Sequence, residues 1–124
     1  MILDNEKKVY RIDDEIFHCG TAVGFRFIGG KWKSIIIWYL RGGKLRFSEI
    51  KRLIPDITDK MLSIQLAALE ADKLLVRKQY GVQPPFKVEY TLTELGKSLL
   101  PVIEMITHWG IAYAENNGDL VAVD

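Results

Sequence analysis

Cysteine is almost missing: Cys19 is the only one in 124 residues, so no internal disulfide can staple the fold. A reducing compartment, the cytoplasm, is the expected location. Long apolar runs are missing too. The longest, Ile35-Ile36-Ile37-Trp38-Tyr39-Leu40, falls far short of the roughly 20 residues a membrane span needs. The chain begins with Asp4 and Glu6 where a secretion leader needs a basic start followed by an apolar stretch, so neither secretion nor a membrane partner is expected. Histidine occurs only as His18 and His108, and HExxH, CxxC, GxSxG and a phosphate-binding glycine loop are all lacking. Any nucleophile, base or metal set would have to come from Cys19, the two histidines and scattered acids, with nothing fixing their spacing. No catalysis, metal or cofactor is expected. Net charge is nearly absent as well, with 17 basic against 16 acidic side chains.

What is present is enough apolar side chain, 48% of residues, for one core, and too little chain for two. One domain over 1–124 follows, without repeats or low-complexity tracts. Its balanced charge is distributed in blocks. Residues 31–60 hold eight basic side chains against three acidic, and residues 73–90 four against one. Residues 1–19 hold three against five, and residues 91–124 one against five. A basic middle between acidic ends suits a module that binds a polyanion, or equally a solvated surface.

Glycine and proline cut the chain into short elements. Trp32, Ile35, Ile36, Tyr39 and Leu40 recur at helical spacing, so 31–41 reads as a buried amphipathic helix. Ser48 is a plausible N-cap for a brief second helix over 49–53, stopped by Pro55. Thr58 caps a third helix, about 59–72, whose Leu62, Leu66 and Leu69 share one side. Lys60, Ser63, Ile64, Ala67 and Ala71 take the opposite side, with Gln65 on the flank. Residues 75–80 and 87–92 flank a six-residue loop as a β-hairpin, the second strand alternating Val88, Tyr90 and Leu92 on one face. From Thr93 a long C-terminal helix, about 94–117, carries the stripe Leu95, Leu99, Val102, Ile103, Ile106, Trp109 and Tyr113, and Pro101 should kink it. Trp32, Trp38, Trp109, Tyr39 and Phe25 read as core, or as the lining of an effector pocket. The order is that of an α+β, mainly α, winged helix-turn-helix: the helix-turn-helix at about 31–73 and the wing at about 74–92. The basic segments coincide with its second and third helices and its hairpin, which points to DNA.

Several ordered motifs carry a family resemblance over about residues 19–110. They are Ile28-Gly29-Gly30-Lys31-Trp32-Lys33, Leu45-Arg46-Phe47-Ser48-Glu49-Ile50, Ile57-Thr58-Asp59-Lys60-Met61-Leu62 and Leu69-Glu70-Ala71-Asp72-Lys73-Leu74-Leu75. The run from Pro84-Pro85-Phe86 through Thr93-Glu94-Leu95-Gly96 completes the set. Together they resemble the HxlR family of bacterial and archaeal transcriptional regulators. The resemblance implies a winged-helix homodimer on a pseudo-palindromic operator, paired through extra N- and C-terminal helices. The stripe from Leu95 to Tyr113 would supply that pairing, the alternative being that it folds back on the first helix.

On double-stranded DNA the base-reading set would be Thr58, Lys60, Met61, Ser63, Ile64, Gln65 and Ala67. Gln65 suits adenine, Lys60 guanine or phosphate, and Ser63 either, while Ile64 and Ala67 offer only apolar contact to thymine methyls. The family often carries Gln and Arg at those last two positions, so the operator cannot be borrowed from a relative. Phosphate contacts would come from Lys31, Arg46, Ser48 and Lys51, with Lys78 and Lys87 on the wing, while Gln83 at the wing tip either enters a minor groove or simply closes the hairpin turn. Cys19 matches the position of an N-terminal cysteine that some family members use to sense oxidants or electrophiles, although Gly20 follows it where proline is common. His18 or Arg26 would raise its reactivity if folding brought either close, and a buried, inert thiol is the alternative. A small-molecule or oxidant effector is the further partner so implied. The alternative is a winged-helix protein-interaction module that uses the same face without reading DNA, a reading motivated by Ile64 and Ala67.

Overall fold

The structure, a computed structural model, describes residues 9–122. The acidic start that argued against a secretion leader lies outside the described residues. An antiparallel hairpin comes first, β1 (Tyr10–Ile12) with β2 (Glu15–Phe17), turning at Asp13 and Asp14, both at positive φ. Next come α1 (Gly20–Ile28), α2 (Lys33–Tyr39) with a 3-10 turn at Leu40–Gly42, β3 (Leu45–Arg46), α3 (Phe47–Leu53) and α4 (Asp59–Ala71). The wing follows as β4 (Leu75–Tyr80) and β5 (Lys87–Leu92), then α5 (Glu94–Lys97) and α6 (Leu100–Asn117). This is the expected winged helix-turn-helix, and the hairpin strands fall at the expected residues.

The core is built almost wholly of Ile and Leu. Ile36 and Ile37 of α2, Ile50 of α3, and Leu62, Leu66 and Leu69 of α4 are all but inaccessible, and Leu74, Leu75, Tyr90 and Leu92 join them from the wing. Each helix of the trio therefore buries one stripe against the other two, which fixes the directions of their outer faces. Thr58 caps α4 as its sequence position suggests, its Oγ1 accepting from the Met61 N–H at 3.0 Å.

Four expectations need correction. The helix expected over 31–41 is shorter, since its last turn tightens to 3-10 before Gly43, at φ +126°, swings the chain into β3. Ser48 does not cap α3: the helix begins two residues earlier, after Arg46, whose backbone N–H donates to Glu49 Oε1 at 2.8 Å. The hairpin is really a three-stranded sheet of order β3-β5-β4, in which Leu45 and Arg46 pair with Tyr90 and Glu89. Finally, Pro101 kinks nothing. The C-terminal helix is two helices, and Pro101 sits in the first turn of α6, where a missing N–H costs no hydrogen bond.

Candidate nucleic-acid interface

With Leu62, Leu66 and Leu69 turned inward, α4 presents Lys60, Ile64, Ala67 and Ala71 outward, all exposed. At 100° per residue these four lie within about 60° of one another, so they form a single line down the helix, with exposed Ser63 at its edge. Gln65 and Met61 are drawn back from it. Met61 packs on the core, and Gln65, half-buried, donates from Nε2 to Met61 Sδ at 3.3 Å. Thr58 is spent as the cap at the head of the helix.

The cations expected around α4 come from the segment before α2, from α3 and from the three strands of the sheet. Lys31, just before α2, pairs with Asp56 at 3.7 Å and lies over the Trp32 ring at 4.4 Å. Ser48 is exposed and Lys51 half-buried on α3. Arg46 stands where the sheet meets α3, directly across from Glu89, which also faces Lys78 on the other neighbouring strand. Side chains opposite one another on adjacent strands share a face, so Arg46, Glu89 and Lys78 form a transverse row. Glu89 is the one buried charged residue of the described part, with Lys44 and Lys87 Nζ each 3.8 Å from its carboxylate. Gln83 is exposed in the 81–86 loop.

Glu89 escapes a reading of the sequence. Alternation along β5 sends Val88, Tyr90 and Leu92 inward, which makes residue 89 look solvated. Burial arises because β3 lies along that edge of β5, and a two-residue strand leaves no periodicity to read.

The expected dimer stripe divides. Ile103 is buried in the protomer's own core and Leu99 packs against it, while Leu95 belongs to α5 instead. Val102, Ile106, Trp109 and Tyr113 remain outward on α6, joined by Met105 and Ile111, and Trp109 stacks on Tyr113 with centroids 5.4 Å apart. The core reading of Trp109 and Phe25 is overturned: they are 69% and 60% exposed. Phe25, Gly20, Thr21, Gly24 and Ile28 of α1 meet Val102 and Ile106 around an apolar cavity of about 430 Å³. Trp38 and Tyr39 line another with Ser34, Ile35, Ile103, Ile106 and Thr107.

Cys19 is half-buried immediately before α1, its backbone extended and its carbonyl accepting from Val23 N. Arg26 is committed elsewhere. Its guanidinium donates through both terminal nitrogens to the two oxygens of Asp72, at 3.1 and 3.2 Å, and lies 3.5 Å from Glu15. The Asp72 hydrogen bond and charge hold the guanidinium above its already high ordinary pKa. Asp72 ends α4, so this fork ties α1 to the foot of the outward-facing helix.

Comparison with known proteins agrees with this geometry. The profile described as HxlR-like helix-turn-helix matches residues 27–118. YkvN of Bacillus subtilis strain 168, described as an uncharacterized HTH-type transcriptional regulator, is 50% identical over 99 residues, 80% of this chain and 83% of its own. Among solved structures, the redox regulator HypR in its reduced form superposes with a TM-score of 0.71 at 43% identity, covering 75% of this chain and 91% of its own. The reduced transcriptional regulator YodB of B. subtilis gives 0.66 at 36% identity, covering 82% of this chain and 98% of its own. The chain belongs to the HxlR-like helix-turn-helix family of transcriptional regulators.

Proposed function

We propose that this chain regulates transcription in the cytoplasm as a homodimer, each protomer laying α4 in the major groove of one half of a pseudo-palindromic operator. The observation that carries the proposal is the outward line on α4, headed by Lys60 and flanked by the cation-bearing β3 and wing. Lys31, Arg46, Ser48, Lys51, Lys78 and Lys87 supply phosphate contacts, and Gln83 reaches from the wing loop toward the minor groove. The exposed stripe Val102, Ile106, Trp109 and Tyr113 pairs two protomers, because a lone one would leave it facing water.

Selection of random duplexes by the purified protein, followed by binding of the winner and a scrambled control across a salt series, tests this reading. An enriched two-fold motif, bound far more tightly than the control and weakening steeply with salt, is the expected result. Equal, weak binding to both duplexes would favour the protein-interaction module, which exposed Ile64 and Ala67 also suit. Arg46→Ala is expected to weaken all duplexes alike and reduce the salt slope by about 1. Lys60→Ala should cost about 1–3 kcal/mol and relax preference at one position of the half-site. Unchanged binding by both variants would remove these residues from the interface.

Redox control is proposed from Cys19 at the head of α1 together with the likeness to HypR, a redox regulator. Oxidation joins Cys19 of two protomers as a disulfide, the thiols losing two electrons and two protons to the oxidant, and shifts the paired helices. Diamide should therefore change operator binding by the wild type and leave Cys19→Ser unaffected. An identical response in the two proteins would exclude the thiol.

A further inference from the structure

We infer that α4 reads its half-site chiefly through thymine methyl groups, with Ile64 as the specificity-determining residue. The inference rests on the major-groove placement proposed above and adds what the helix recognises there. Along the outward line, Lys60 is the only side chain with a hydrogen-bonding group. The three that follow, Ile64, Ala67 and Ala71, carry nothing but carbon. Gln65, the amide otherwise suited to adenine, is half-buried and engaged with Met61 Sδ. Ser63 stands at the edge of the line rather than on it. A helix so built has no fork for guanine and no paired donor and acceptor for adenine at the positions that Ile64 and Ala67 reach.

Ile64 is 49% exposed although it is one of the most apolar residue types, and it sits in the second turn of α4. The first turns of a recognition helix are the part that meets base edges. The only apolar group that the major-groove edge of a base pair presents is the C5 methyl of thymine. Burying the Ile64 side chain against that methyl removes both from water, whereas a cytosine there would press an amino donor against hydrocarbon with no acceptor to receive it. Ile64 and Ala67 are separated by about 4.5 Å along the axis, a little more than one base-pair step, so the methyls they touch belong to neighbouring base pairs. Lys60 precedes them by one turn and marks the end of the half-site where a guanine or a phosphate is met.

Uracil in place of thymine removes this methyl and leaves every hydrogen-bonding group of the base pair intact. The duplex enriched by selection is made with deoxyuridine replacing one thymine at a time, symmetrically in the two half-sites, and bound to wild type and to Ile64→Ala. At one or two positions per half-site, the wild type should lose about fourfold per methyl, or about fifteenfold for the symmetric pair. The Ile64→Ala protein should bind the thymine and uracil duplexes equally at the position that Ile64 contacts. Ile64 is exposed, so the variant keeps its core, and an unchanged circular dichroism melt checks this. Wild-type affinity indifferent to uracil at every position, with preference over the scrambled duplex retained, would overturn methyl reading and leave operator reading standing. A uracil effect undiminished in Ile64→Ala would also overturn it, by assigning the methyls to duplex shape. No preference for the enriched duplex over the scrambled one would overturn both readings.

Discussion

Gly96→Ala is expected to destabilise the protein by about 3 kcal/mol or more, the largest loss predicted for adding a single methyl group. Gly96 lies in α5, where the chain turns back beneath the start of β4. Thr93 N donates to Leu74 O at 3.1 Å, Thr93 Oγ1 donates to Lys73 O at 2.7 Å, and the same Oγ1 accepts from Gly96 N at 3.0 Å. These three bonds pull the α5 backbone so near β4 that a Cβ on residue 96 would be driven into the Leu74 carbonyl oxygen. The carbonyl carbon would stand at 3.0 Å and Leu92 Cδ2 at 3.3 Å. The obstacle is backbone, already hydrogen-bonded, so it cannot swing aside as a side chain could. Relief requires α5 to lift, which breaks the bonds that seat it. In urea and thermal unfolding at matched protomer concentration, the melting midpoint should fall by more than about 10 °C. Gly42→Ala, where a Cβ meets nothing within 4 Å, should leave it nearly unmoved. Equal behaviour of the two variants would refute this account of the joint.

Trp109→Glu is expected to have the largest effect on function while leaving the protomer folded. Trp109 and Tyr113 stack on each other, and Trp109 is 69% exposed and outside the core cluster of the described residues, so the core packing does not depend on it. In the proposed dimer the indole is buried against the partner, and a carboxylate there is desolvated without a counter-charge. Two linked reading helices bind as one because the second meets its half-site at high effective concentration, and separating them forfeits that gain. Operator affinity should fall about 10²–10⁴-fold, with the solution mass halved and the far-ultraviolet circular dichroism unchanged. A variant that remains dimeric with full affinity would move the pairing surface elsewhere.

Periodicity made the body of this fold legible in the sequence. Leu62, Leu66 and Leu69 define the buried side of α4, and the outer line follows by subtraction. The alternation of Val88, Tyr90 and Leu92 likewise fixes the register face of β5. What escaped reading was set by contacts between distant residues. Strand β3 is two residues long, so Leu45 and Arg46 owe their conformation to Tyr90 and Glu89 more than 40 positions away. The break between α5 and α6 had the same origin, since the stripe from Leu95 to Tyr113 keeps helical spacing across it while α5 is held by Lys73 and Leu74. Of the site, the residue types on α4 were legible; the withdrawal of Met61 and Gln65 from the outer line was not, because it depends on packing around their side chains.

The short pairing of β3 with β5 also fixes a dimension. Arg46 ends β3 and immediately precedes α3, so the wing is tied to the helix-turn-helix with no loop between the paired strand and the helix. In the proposed dimer, each protomer then behaves as a calliper of fixed gauge, and the only adjustable setting is the angle between the two callipers. Each base pair inserted between half-sites turns one of them by about 35° around the duplex. An oxidant or ligand that acts on this protein would therefore alter which operator spacings it accepts before it altered which bases it prefers.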